Sequence, residues 1–366
     1  MAVRHLLLAF LVCVASGARA EDADVPHEFA AGEPARASEV NDNFNALSEA
    51  LRQALIRVEE AEAAISEQSA ELDRQAEEIA AIQRQVPIVL DLNEVPVTID
   101  QPGRYVLDRD WTIGMGLLVP SITIAADNVS LDMRGYTIVG DSRDTVYISG
   151  DRISIVDGWF QTAPIVVGEE SFRVTIDSVH LDNRGAGSPL ALNGGTVVVS
   201  NSTAVGMAGI GIGGGQHQLR NVSMRGQEGH ALVVAGGTVR VSDSTLTARR
   251  EGVVVRTDGN TFERNTISTQ SFGYGIDLQG DGNRILDNRF SGVAGTAILV
   301  SGTGNLLRGN LAHPETTQPA FSLWDEGIRF SVDGNLYGSN TMMAVTPFNL
   351  GSTSQLDLGG NHGTTE

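Results

Sequence analysis

Lysine is absent from this chain of 366 residues, and all 25 basic residues are arginines. Against 45 acids they leave a formal net charge of −20 at pH 7. A surface this acidic repels phosphate, which excludes nucleic acid and anionic lipid as partners. Long apolar runs are also missing. The longest, Leu6–Val14, is too short to span a bilayer. With Arg4 and His5 before it and Ala18-Arg19-Ala20 after it, residues 1–20 read as a secretory leader. Removing them leaves no transmembrane segment and places the chain in the periplasm, at the cell surface or outside the cell. Cysteine is almost absent: Cys13, inside the leader, is the only one. The bulky Val12 before it argues against a lipid anchor, and the mature chain has neither disulfide nor thiol chemistry.

Glycine and proline are missing from residues 46–86, which are rich in Ala, Glu and Gln. From Phe44 every seventh residue is apolar: Phe44, Leu51, Val58, Ile65, Leu72, Ile79 and Val86. Three positions on from each lie Leu47, Ala54, Ala61, Gln68, Gln75 and Ile82. This register predicts a coiled coil over 44–86, about 65 Å long as a helix. Gln68 and Gln75 would put polar layers in the seam, fixing register and partner number. The chain would then be a homo-oligomer through 44–86, with dimer and trimer both open. The alternative is one amphipathic helix lying along the remainder of the protein.

Beyond Pro87 the composition turns to Gly, Val, Ser, Thr and Asn. Here asparagines recur five residues apart, in GNTFERN (259–265), GDGNRILDN (280–288), GNLLRGN (304–310) and GNLYGSN (334–340). GGTVVVSN and GGTVRVSD keep the gap with Thr in the first place. The second members, Asp157, Asp177, Asn201, Asn221, Asp243, Asn265, Asn288, Asn310 and Asn340, are separated by 20, 24, 20, 22, 22, 23, 22 and 30 residues. A period near 22 with short strands and Gly-rich corners is one coil of a parallel β-helix, and the series predicts about ten coils. Coils stack ~4.8 Å apart, so corner residues of successive coils lie over one another. Asn tolerates the left-handed backbone of a corner, and its amide both donates and accepts. The series therefore predicts one ladder through Asn201, Asn221, Asn265, Asn288, Asn310 and Asn340.

Two resemblances add to this reading. FAAGEPARASEVNDNFNAL (29–47) resembles a motif that precedes coiled coils in bacterial and phage fibre-like proteins, matching at Phe29, Ala31, Gly32, Pro34, Ala37, Ser38, Asn41, Asn43 and Phe44. It implies a fibre-like segment over 21–43. DLNEVPVTIDQPGRYVLDRDW and ITIAADNVSLDMRGYTIVG look like the opening of the secreted right-handed parallel β-helix proteins of the pectin-lyase-like superfamily. That resemblance implies an all-β, right-handed parallel β-helix over 87–366. It implies no single activity, since the superfamily holds lyases, epimerases, tailspike hydrolases, adhesins and proteins without known catalysis.

The site must be argued from residues. Alternation places Leu232, Val254, Asp277 and Leu299 outward on successive coils, a mostly apolar stripe that suits a cover or subunit contact. Asp277, Arg256 and Gln279 are its polar members and one catalytic candidate. Asp177, His180 and Asp182 are the other, with Phe160 and Ala204 expected beside His180. Neither offers the opposed carboxyls that a glycosidase needs. Asp258 and Asp281 stack in Asp-Gly-Asn turns and would either serve as turn formers or share a calcium ion, the one cofactor implied. Finally, the gap of 30 between Asn310 and Asn340 holds HPETTQPAFSLWDEGIRF (313–330). There Trp324 would stack on a sugar with Asp325, Glu326 and Arg329 as polar anchors, or would pack with Phe321 onto the coil. The expectation is an exported, fibre-like, non-catalytic β-helix that binds a glycan or assembles with itself. The alternative is a polysaccharide lyase, epimerase or hydrolase.

Overall fold

The computed structural model describes residues 37–83, 87–93, 96–113, 120–140, 146–184, 187–270, 273–292, 295–313, 324–351 and 354–364. The leader and most of the fibre-like segment lie outside these residues, as do Val86 and Phe321. The chain divides into two units.

Among the described residues the first is made by the helix Ala37–Gln83, whose last residues pass the boundary at Ile79. It is uninterrupted because its 47 residues include neither glycine nor proline. Glu49–Arg52 and Glu71–Arg74 pairs, three residues apart, lace its polar surface. The apolar positions of the seven-residue repeat, Phe44, Leu51, Val58, Ile65 and Leu72, are exposed, Ile65 at 66%.

The second unit is a parallel β-helix of about 11 turns, rather than ten. Each coil contributes three short strands to three faces. In one coil these are Leu232–Val234 on the first face, Thr238–Ser242 on the second and Thr245–Ala248 on the third. Each pairs in parallel with the strand one coil on, Val253–Val255, Thr261–Glu263 and Thr266–Thr269 respectively. Side chains that alternate inward stack in columns. Ile176, Val199, Leu219, Val241, Phe262 and Ile285 form one of them, all buried. Such columns give each coil an apolar layer whose only partners are the layers above and below.

The bend between the second and third faces is a single left-handed residue. Asp157, Ser178, Asn201, Asn221, Asp243, Arg264, Asp287 and Ser339 hold φ between 49 and 56°. Asn and Asp carry such a backbone at low cost. Arg264 is held there by a two-pronged contact with Asp243 at 2.8 and 3.0 Å.

This bend corrects the predicted ladder. Asn201 and Asn221 sit at the left-handed position and are exposed, joined by Asn221 Nδ2 donating to Asn201 Oδ1 at 2.8 Å. Asn265, Asn288, Asn310 and Asn340 sit one residue later, buried. The series thus splits into two columns. In the buried one, the N–H and Nδ2 of Asn265 both donate to Asn288 Oδ1, at 3.0 Å each. Asn288 repeats this on Asn310, and Asn310 on Asn340. In earlier coils Ser202 and Ser244 take the same place, accepting from Val179 N–H and Val222 N–H. The first members of the asparagine pairs build a second buried ladder between the first and second faces, Asn260–Asn283–Asn305–Asn335. Gln355 ends it.

A histidine interrupts the core. His217 points inward between Val197 and Val239 and is 3% exposed. Its Nε2 contacts Gly214 O, while Nδ1 has no partner. Burial lowers its pKa, against the Gly214 bond.

Two outcomes follow. Asn288→Leu strands the N–H of Asn265 and the carbonyl of Phe262, to which Asn288 Nδ2 donates. It should cost about 1–3 kcal/mol or more by urea unfolding, whereas Asn221→Gly, at an exposed left-handed position, should change stability by about 0.5 kcal/mol or less. The unfolded chain takes up a proton at His217 near pH 6.5, before the folded chain does. Stability should therefore fall as pH drops below about 6.5, and His217→Val, matching Val197 and Val239, should flatten that loss.

Candidate functional site

The third face carries the one tryptophan that the structure leaves in solvent. Trp111 and Trp324 are buried, whereas Trp159 is 52% exposed. It lies in the strand Ile153–Gln161, where the left-handed Asp157 resets the alternation so that Phe160 points inward and Trp159 outward. His180 is its register partner on the next coil, with ring centroids 4.2 Å apart and planes 42° apart. Two residues on, Gln161 and Asp182 form the parallel pair. Arg184 Nε lies 3.0 Å from Asp182 Oδ2. Burial lowers the His180 pKa, Asp182 opposes that and Arg184 adds to it. Burial and Arg184 together thus disfavour the imidazolium. Beyond His180 the column continues as Thr203, Ser223, Thr245 and Thr266. An aromatic face, an amide, a carboxylate and hydroxyls on a rigid sheet can stack on and hydrogen-bond a sugar; no pair of opposed acids stands among them.

The neighbours expected for His180 were Phe160 and Ala204. They are Trp159 and Thr203, because the left-handed corner shifts the outward set by one residue. Asp177 lies round that corner on the second face. Burial would raise its pKa, but hydrogen bonds from Ser200 at 2.5 Å, Asn201 at 2.8 Å and Ser178 at 3.0 Å outweigh it and lower the pKa. Asp177 therefore belongs to the corner.

Asp277 is on the first face, between Val254 and Leu299, and accepts from Gln279 Nε2 at 2.7 Å. Among the described residues no ion pair joins it to Arg256, which is exposed one position past the strand Val253–Val255. The outward stripe on this face contains Val233 in place of Leu232, which is buried. Asp258 and Asp281 each spend an oxygen on the next coil. Asp281 N–H donates to Asp258 at 2.7 Å and Thr303 N–H to Asp281 at 2.6 Å. Asp127 does the same for Asp151 N–H. Among the described residues no group of three or more His, Cys, Asp or Glu is placed to hold a metal ion.

The sugar platform predicted at Trp324 is overturned. Trp324 is 0% exposed, its ring lying where any side chain at Gly292 would be. Asp325 accepts from Gly295 N–H, and Glu326 from Thr296 Oγ1 and Asn349 Nδ2. Arg329 lies 3.6 Å from Glu326. Trp324, Asp325 and Glu326 dock the strand Trp324–Phe330 onto its neighbours, and Arg329 pairs within it. The preceding residues, 314–323, lie outside the described part. Sequence reasoning also missed His230 and Glu251, 3.0 Å apart on adjacent coils at the edge of the first face.

Residues 163–312 match the sequence family described as "Right handed beta helix region". The second unit has the right-handed parallel β-helix fold. No curated protein matches it in sequence. Among solved structures it is similar to the Dettilon tailspike protein, at 14% identity and a TM-score of 0.49, over 72% of this chain. The match spans 61% of that protein's length.

The Trp159–His180 contact makes a direct prediction. Trp159→Ala removes the ring that shields the imidazole from water, so the His180 pKa, read by NMR titration, should rise towards the ordinary histidine value.

Proposed function

We propose that this chain is an exported, self-associating, fibre-like protein whose β-helix binds carbohydrate on the third face without cleaving it. The observation that carries this reading is the exposed Trp159 stacked beside His180 on a rigid sheet, with Gln161 and Asp182 within the same two coils. Export rests on the leader-like residues 1–20. Self-association rests on the exposed seven-residue repeat of the helix. Side chains such as Phe44, Leu51 and Ile65 gain by burial against other copies, whether two or three.

Absence of cleavage is supported by where the acid–base groups fall. Asp177 is tied into a corner, Asp277 stands on another face, and His180 faces an aromatic ring. Hydrolysis or elimination needs acid and base groups opposed across one bond.

Purified mature protein should bind one or more polysaccharides without releasing reducing ends or unsaturated products. Trp159→Ala should remove most of that binding with the fold intact. Turnover abolished by Asp177→Asn or Asp277→Asn would make this an enzyme instead. Light scattering should find an oligomer, and Ile65→Asp combined with Leu72→Asp should give monomers.

A further inference from the structure

We infer that the carbohydrate is a linear, uncharged polysaccharide lying along the coil axis, seated on Trp159 and His180 and following the hydroxyl column beyond them. The inference rests on the binding role proposed above and adds the ligand's class and orientation.

Width sets the orientation. Across the third face each of these coils offers two outward positions, Trp159 and Gln161 on one, His180 and Asp182 on the next. On one side the left-handed Asp157 and Ser178 turn the backbone onto another face; on the other Thr162, with φ 50°, leads away. A sugar chain crossing the face would lose contact after a short segment. Along the axis the column persists through Thr203, Ser223, Thr245 and Thr266. Four further coils at ~4.8 Å each add roughly 19 Å of track.

Charge sets the class. The chain carries 45 acids. Yet among the outward residues of this face, from the Trp159 coil to the Arg289 coil, Asp182 is the only carboxylate, and Arg184 neutralises it at 3.0 Å. Serine and threonine hydroxyls both donate and accept, as sugar hydroxyls do. The platform itself offers no free cation for a uronate or sulfate. At the outward positions of the strands Arg225 and Arg289 are the cations further along, three and six coils from Trp159, and Arg249 and Arg250 follow the strand Thr245–Ala248 at its edge. A net charge of −20 opposes the approach of a polyanion.

The test is calorimetry of the full chain against neutral oligosaccharides of graded length, from amylose, cellulose and mannan, and against polygalacturonate and alginate, at low and high salt. A neutral series should bind, its affinity rising with length and insensitive to salt. Trp159→Ala should weaken it roughly tenfold, about 1.4 kcal/mol. Thr245→Glu, four coils away, should weaken long oligomers and spare the shortest that binds, and Arg225→Gln should change neither. Binding confined to polygalacturonate or alginate, steeply salt-dependent and lost in Arg225→Gln, would overturn the uncharged class while leaving the Trp159 face a carbohydrate site. Affinity independent of length would overturn the axial orientation. Binding by no probe, or binding untouched by Trp159→Ala, would remove the proposed role and this inference with it.

Discussion

At every bend between the second and third faces the backbone turns through one left-handed residue, and the N–H that follows is buried. An unpaired buried amide costs as much as a lost hydrogen bond. The acceptor comes from the next coil: Ser202 for Val179, Ser244 for Val222, then an unbroken succession of asparagine oxygens from Asn265 to Asn361. From Val222 onward each coil is therefore completed by its successor. The stacked apolar columns and the parallel pairing run through the same coils.

The fold was legible because the requirement recurs. Period, glycine corners and paired asparagines pointed to one architecture, and agreement across levels identifies a fold more reliably than any single motif. What the sequence did not disclose was that serine and asparagine can fill the same role. With Ser202 and Ser244 silent, the exposed Asn201 and Asn221 were aligned with the buried Asn265, one residue out of register. In a strand such a slip exchanges inside for outside. It is why Leu232 was read as outward; His180 was given Phe160 as its neighbour by the same kind of slip, Asp177 being set against Asp157 when Ser178 holds that corner.

The same slip concealed the site. WDEGIRF and ISIVDGWFQ each contain a tryptophan beside polar residues, and composition does not separate them. In the first, Gly292 across the coil leaves a space that the Trp324 ring fills. In the second, the left-handed Asp157 turns Trp159 out. The deciding features are a glycine 32 positions away and a single backbone angle. A long insertion suggested function and supplied core; a regular coil suggested scaffold and presented the aromatic ring.

The 30-residue coil has a further meaning. Asn310 bonds Asn340 across it at 3.0 Å, the length found between ordinary coils. The ladder does not register the extra residues, because in sequence they fall between the third-face strand Leu311–Ala312 and the first-face strand Trp324–Phe330, a corner that neither ladder occupies. Two corners of this solenoid thus carry side-chain ladders, and the third is free of them. Lineages that carry this fold can lengthen, shorten or replace segments at the free corner without refolding the coil, and so acquire new surfaces on an old frame. Variation confined to one edge is the evolutionary signature that this arrangement of hydrogen bonds should leave.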